Sequence, residues 1–233
     1  MIERILPPGV VGVEYYGDPP GAEEELASEE AAAVRHAVEA RRREFASVRW
    51  CARRALERLG ASPCGIPPGR RGAPRWPPGV VGSMTHCVGF RAAAAACADT
   101  HRAIGIDAES LRPLPDGVLA AIALPEELRR LARLRSLVPE VPWDRLLFSM
   151  KESVYKAWYP RTGRFLDFDQ ADVDIDPAGS FRARLLVPTE EFGSPDLTGR
   201  WHTGSGLMVT AVALPVSHHV LPPMRRASSS ATA

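Results

Sequence analysis

The chain has little that would single it out. Net charge is +1 over 233 residues, so nothing draws it as a whole to nucleic acid or to a membrane surface. It holds four cysteines, Cys51, Cys64, Cys87 and Cys97, none in a C-x-x-C pair, which argues against a zinc site and fits free thiols in a reducing cytoplasm. No apolar run approaches the length of a membrane span, and Pro7, Pro8 and Gly9 stand where a signal peptide would need its apolar core. P-loop, G-x-S-x-G and zinc-binding patterns are missing as well. At 45% hydrophobic and 24% charged, what remains is an ordinary globular protein, large enough for one domain or two small ones.

What is present is organised around Gly105-Ile106-Asp107-Ala108-Glu109-Ser110. A strand here places Asp107 and Glu109 on one face, because side chains alternate. Two neighbouring carboxylates repel unless a positive charge lies between them. Mg²⁺ suits such a site, taking one or two carboxylates together with substrate phosphates. On the hexapeptide alone, two solvated acids at a strand end are the plainer reading.

Elsewhere, Val10–Tyr16 reads as a strand, and residues 31–59 as helix in one or two pieces, with Phe45, Val48, Cys51, Ala52, Ala55, Leu56 and Leu59 as its buried stripe. Residues 62–82 form a Pro- and Gly-rich basic loop. Ser83-Met84-Thr85-His86 closes that loop, and residues 89–98 follow as a strand pairing with 102–107. Short helices are expected at 118–122 and from Pro125, and a long one from Trp143 to about Tyr159, stopped by Pro160 and Gly163. Strands are expected at 171–175, 181–187 and 207–214, with a hairpin turn at Thr203-Gly204-Ser205-Gly206. Asp172, Asp174 and Asp176 alternate with apolar residues as the solvated face of a strand. A change in composition divides the chain into halves at 1–112 and 113–215, followed by a Ser- and Ala-rich tail, 216–233, expected to be disordered.

Two further groups could carry chemistry. Glu152 and Lys156 lie one helical turn apart with Lys151 beside them, on a helix otherwise apolar and aromatic. As a surface ion pair they would contribute only about 0.2–0.5 kcal/mol. Arg41, Arg42, Arg43, Arg49, Arg53 and Arg54 on one helical region, with Arg70, Arg71 and Arg75 on the loop after it, form either a solvated basic face or a phosphate-gripping surface. With so little net charge, a small phosphorylated ligand suits them better than a nucleic acid. His86, on its own, is as readily structural as a phosphate donor.

Four segments in order resemble the 4′-phosphopantetheinyl transferases, in the group that modifies carrier proteins of siderophore, polyketide and nonribosomal peptide synthesis. They are the arginine helix from Arg42-Arg43-Glu44-Phe45 through Arg49 to Arg53; Gly72-Ala73-Pro74-Arg75-Trp76-Pro77 with Gly82-Ser83-Met84-Thr85-His86; Gly105-Ile106-Asp107-Ala108-Glu109; and Phe148-Ser149-Met150-Lys151-Glu152-Ser153-Val154-Tyr155-Lys156-Ala157. Ala73 stands where many relatives have Glu or Lys, and Ser153 where Ala is commoner. The resemblance implies an α+β fold of two similar halves, each a small three-stranded sheet with a long helix, related by a pseudo-two-fold axis, in a monomer with coenzyme A between the halves. It implies Mg²⁺, or Mn²⁺ in its place, held by Asp107, Glu109 and Glu152. It places the donor on Arg41, Arg49, Gly69, Arg70, Arg71, Thr85, His86, Asp107, Lys151 and Lys156, and the chemistry on Glu152, Lys156 and Asp107, with Glu152 or a metal-bound water as base. A serine hydroxyl of an acyl or peptidyl carrier protein would attack, releasing adenosine 3′,5′-bisphosphate. A Mg²⁺-dependent phosphohydrolase and a non-catalytic coenzyme-A-binding module are the rivals; the first would act on coenzyme A with no carrier present.

Asp107→Ala and Glu152→Ala are each expected to abolish modification of an apo carrier in the presence of Mg²⁺ and coenzyme A. Full activity in either variant would remove that residue from the site.

Overall fold

The computed structural model describes residues 1–190 and 192–216; most of the expected C-terminal tail lies outside them. Strand β1 (Val10–Tyr16), helices α1 (Ser28–Val34) and α2 (Glu39–Arg58), and strands β2 (Val80–Cys87) and β3 (Phe90–Cys97) come first. Then follow β4 (His101–Ser110), α3 (Val118–Ile122), α4 (Pro125–Leu137), α5 (Trp143–Thr162), β5 (Ala171–Asp176), β6 (Ser180–Leu185), β7 (Asp196–Gly204) and β8 (Leu207–Pro215). The first sheet has the order β1-β3-β2 and the second β4-β8-β7-β6-β5, all neighbours antiparallel. The α+β class is as the sequence implies, with a second sheet of five strands rather than three.

The elements stack in four layers. Helix α2 buries Cys51, Ala52, Ala55 and Leu56 against Val13, Ala93 and Ala95 of the first sheet. The other face of that sheet, Phe90, Ala92, Ala94 and Ala96, packs on Ile104, Ile106 and Ala108 of β4 and on Leu207, Val209 and Ala211 of β8. The far face of the second sheet receives α4 and α5 through Leu131, Leu134, Leu146, Leu147, Met150, Val154 and Trp158. The alanine run of β3 favours helix by intrinsic propensity. As the central strand of a sheet covered on both faces it instead provides small side chains that let two layers approach.

Strand β3 pairs with β1 and β2, not with residues 102–107 as expected; β4 pairs with β8. Cys87 pairs with Phe90 across the two-residue turn Val88-Gly89, where a φ of 74° at Gly89 permits the tight β2–β3 hairpin, and Tyr16 meets Phe90 from the other side as a long-range pair. Ser83, Thr85 and His86 therefore lie within β2, not ahead of a strand. β7 went unread because Gly199 and polar residues interrupt its apolar alternation; Gly199 sits where a Cβ would strike the Phe181 ring. Pro160 lies inside α5, which runs on to Thr162 and stops at Gly163 in the left-handed region.

One contact sets the spacing of the site. A Cβ at Gly105 would lie 1.8 Å from the Ser153 carbonyl oxygen and 2.7 Å from the Ala157 nitrogen, so α5 rests directly on the β4 backbone. Gly105→Ala must push the helix off the sheet. Overpacking of this kind costs about 1–3 kcal/mol, about 2–12 °C in Tm for a chain of this size. Thermal melting should show that loss together with a fall in turnover; an unchanged Tm would mean the helix is not held at this contact.

Candidate active site

β4 and α5 supply the charged centre. Ala103, Gly105, Asp107 and Glu109 face α5, while Ile104, Ile106 and Ala108 face the first sheet. The expected shared face of the two acids is therefore realised. Asp107 is 5% exposed. Its Oδ1 accepts from Lys156 Nζ at 2.7 Å and from the Thr85 hydroxyl at 3.2 Å, and its Oδ2 is buried without a partner. Glu109 Oε2 accepts from Arg145 Nη1 at 2.9 Å. Glu152, one turn before Lys156, is half-buried and accepts no hydrogen bond from a described residue.

Burial raises the pKa of Glu109, the charge of Asp107 raises it further, and Arg145 and Lys156 work against the rise. Burial likewise raises Glu152; Lys156 opposes it, while Asp107 and Glu109 add to it. Three carboxylates thus press on one another across the β4–α5 contact. Their oxygen-only donors and the orphaned Asp107 Oδ2 suit a hard divalent cation. Asp107 and Glu109 pair with Lys156 and Arg145 of α5, Glu152 has no direct ion pair, and among the described residues no three His, Cys, Asp or Glu side chains are gathered closely enough to ligate one ion.

A cleft of about 250 Å³ opens beside this centre. Arg41 and Arg49 of α2, Arg71 to Pro74 of the basic loop, Ser83 and Met84 of β2, and Glu152, Tyr155, Lys156 and Tyr159 of α5 line it. Arg71 adopts φ 55°, ψ 24° within the 3₁₀ turn 70–72, an uncommon conformation for a non-glycine residue. Its guanidinium stands 5.4 Å from the centroid of the Phe165 ring in the second half of the chain. Arg41 Nη1 donates to His86 Nε2 at 3.0 Å and pairs with Glu44 at 3.4 Å. His86 is held neutral chiefly by burial, with Arg41, Arg91 and Lys156 also disfavouring its proton and Glu44 favouring it.

Several expected residues have other work. Lys151 is 3% exposed, and its ammonium donates to the Phe168 and Ala171 carbonyls at 2.6 and 3.0 Å and pairs with Glu127 at 2.8 Å. It does not reach toward a nucleotide beside Lys156: consecutive helical residues point about 100° apart, and Glu152, Tyr155, Lys156 and Tyr159 take the cleft side. Arg49 lines the cleft, yet Nε and Nη1 donate to the Ile66 and Phe45 carbonyls, and burial first of all lowers its pKa to about 10. Thr85 is buried in β2 with its hydroxyl between Asp107 and the Ala108 N–H, so it orients Asp107 rather than meeting a phosphate directly. Gly69 and Arg70 precede the lining residues Arg71 to Pro74; the Gly69 N–H closes the turn on the Ala73 carbonyl at 2.7 Å, and a Cβ there would press on that oxygen. Arg145, Met84, Tyr155 and Tyr159 were not anticipated. Only Arg145 carried a usable sign, its charge seven residues before Glu152 on the same helix face.

An arginine-lined cleft that reaches Glu152 and Lys156, with Asp107 bonded to Lys156, marks a class of enzyme that handles a phosphorylated donor. Residues 29–96 match the 4′-phosphopantetheinyl transferase N-terminal domain, and residues 103–212 match the 4′-phosphopantetheinyl transferase superfamily. The chain belongs to that superfamily. It is 56% identical over 219 residues to 4′-phosphopantetheinyl transferase Svp of Streptomyces mobaraensis, covering 92% of this chain and 89% of that protein. It is 44% identical over 226 residues to 4′-phosphopantetheinyl transferase PptT of Mycobacterium tuberculosis, covering 92% and 98%, and 45% identical over 225 residues to 4′-phosphopantetheinyl transferase Npt of Nocardia iowensis, covering 91% and 99%.

The crowded carboxylates predict a stability signature. An acid whose folded pKa lies above its unfolded value destabilises the fold once ionised, a cost that appears as pH rises through that interval and is absent below it. Glu152→Gln should therefore raise Tm at neutral pH without added metal, with no gain near pH 3, where wild type is protonated in both states. A lower Tm at neutral pH would show that Lys156, not the neighbouring acids, dominates the environment of Glu152.

Proposed function

We propose that this chain transfers the 4′-phosphopantetheine arm of coenzyme A to a serine of a carrier protein. The observation that carries the reading is an arginine-walled cleft lined by Glu152 and Lys156, with Lys156 bonded to Asp107 and Glu109 on the same face of β4. Arg41 and Arg71 hold the phosphates of the nucleotide, Arg41 with His86 beside it. Bidentate guanidinium contacts suit phosphate oxygens. A phosphate reaching His86 would favour its protonated form, opposing the burial that keeps it neutral.

Lys156 is placed to balance charge on the phosphoryl group being transferred, releasing Asp107 as it does so. Glu152, directly or through a water beside it, takes the proton of the incoming serine hydroxyl: it carries no direct ion pair, and burial raises its affinity for a proton. Asp107, Glu109 and Glu152 are the residues that would hold Mg²⁺, which when bound offsets negative charge on the transferring phosphate. Thr85 keeps Asp107 in place from β2. The leaving group is adenosine 3′,5′-bisphosphate. Carrier domains of polyketide and nonribosomal peptide synthases are the partners we favour, with the enzyme a monomer, both halves of the cleft being in one chain. All four cysteines are free thiols, in keeping with the cytoplasm. Among the described residues no helix is long and apolar enough to cross a membrane.

Mass spectrometry of an apo carrier incubated with the protein, coenzyme A and Mg²⁺ tests this. One phosphopantetheine should be gained, and Glu152→Gln should slow the gain by about 10²–10⁴-fold, the usual worth of a general base. Breakdown of coenzyme A at the same rate without carrier would point to the phosphohydrolase instead.

A further inference from the structure

Arg145 begins α5, two turns before Glu152, and makes three contacts with one planar head group. Nη1 donates to Glu109 Oε2 at 2.9 Å, Nε to the Arg112 carbonyl at 3.2 Å, and Nη2 to the Pro113 carbonyl at 3.0 Å. The side chain is 18% exposed and that of Glu109 21%. Next to it, Asp144 accepts from the Leu114 N–H at 3.1 Å. The first turn of α5 thus grips both the end of β4 and the connection that leaves it.

Glu109 needs such a grip. It shares a face with Asp107, whose like charge pushes it away, and its two carbon–carbon rotors would carry the carboxylate out to water. Asp107 is fixed from two sides, by Lys156 and by Thr85. Arg145 is the one hydrogen-bond donor to Glu109 among the described residues. It takes Oε2 alone, and Oε1 accepts no hydrogen bond from a described residue. A guanidinium can do this while holding two backbone carbonyls because its donors lie in a fixed fork; a lysine ammonium has no such geometry.

We infer that Arg145 is a positioning residue that pre-orients Glu109 for the divalent cation, building the metal half of the site from the first turn of α5. The inference rests on the metal reading given above. Groups of this kind, one bond removed from the ion, change metal affinity by about 10–100-fold when removed.

Calorimetric titration of Mg²⁺ into the full chain with coenzyme A present reads metal affinity without turnover. Wild type should bind the ion, and Arg145→Gln should bind it about 10–100-fold more weakly, with coenzyme A affinity in the absence of metal unchanged. Arg145→Lys, which keeps the charge and the stem and so protects the fold, should also lose affinity. Asp144→Ala loosens the same connection by removing the acceptor for the Leu114 N–H but leaves the Glu109 contact, and should bind Mg²⁺ as wild type does. Equal or tighter binding by Arg145→Lys and Arg145→Gln would overturn the inference while leaving the metal site standing. An Asp144→Ala loss as large as that of Arg145→Gln would also overturn it, since the connection and not Glu109 would then be responsible. Absence of Mg²⁺ binding in wild type would overturn the metal reading itself, and this inference with it.

Discussion

Helix α5 lies on β4 at the one place where β4 has no side chain. The Ser153 carbonyl occupies the volume that a Cβ on Gly105 would fill. Two residues further along the same face stands Asp107, and two further Glu109; a turn either side of Ser153 on the helix come Lys156 and Ser149, with Arg145 beyond. The distance between the carboxylates of the strand and the cations of the helix follows from that contact. A thicker interface would leave Lys156 short of Asp107, and the buried acid without its counter-charge would become costly.

The other side of the same strand is held differently. β4 is an edge strand of its sheet, and β2 is an edge strand of the other. Exposed edges leave backbone groups unpaired. Here the Ser83 and Thr85 hydroxyls accept from the Ile106 and Ala108 N–H groups at 3.1 and 3.0 Å, so that side chains close a seam that backbone pairing does not. The Thr85 hydroxyl then reaches Asp107. The junction of the two sheets and the placement of the acid are one set of bonds.

A buried glutamate does similar work in each half. Glu30 accepts from the Ala27 and Ile66 N–H groups and pairs with Arg53 of α2, tying the start of α1 to the basic loop. Glu127 accepts from the Leu124 and Val173 N–H groups and pairs with Lys151 of α5, tying the start of α4 to β5. In both, a carboxylate near a helix N-terminus meets unsatisfied donors there and a cation from the longer helix. Each long helix thereby has one face committed to the scaffold and another left for the cleft, which is why only part of its charge is available to a substrate.

Alternation along β4 and the one-turn spacing of Glu152 and Lys156 are local rules, and the sequence by itself determined them: two acids on one strand face, an acid and a base on one helix face, and most element boundaries. The four ordered segments likewise identified the family. Which strands pair was beyond it, because the alanines of β3 and the polar residues of β7 fit several neighbours and burial on two faces selects among them. So was the fate of Lys151, Arg49 and Thr85, whose residue types suit a phosphate as well as a carbonyl or a carboxylate. Only the tertiary structure decided these, since the direction of a side chain depends on what packs against its helix or strand, and that contact is made by residues far away in the chain.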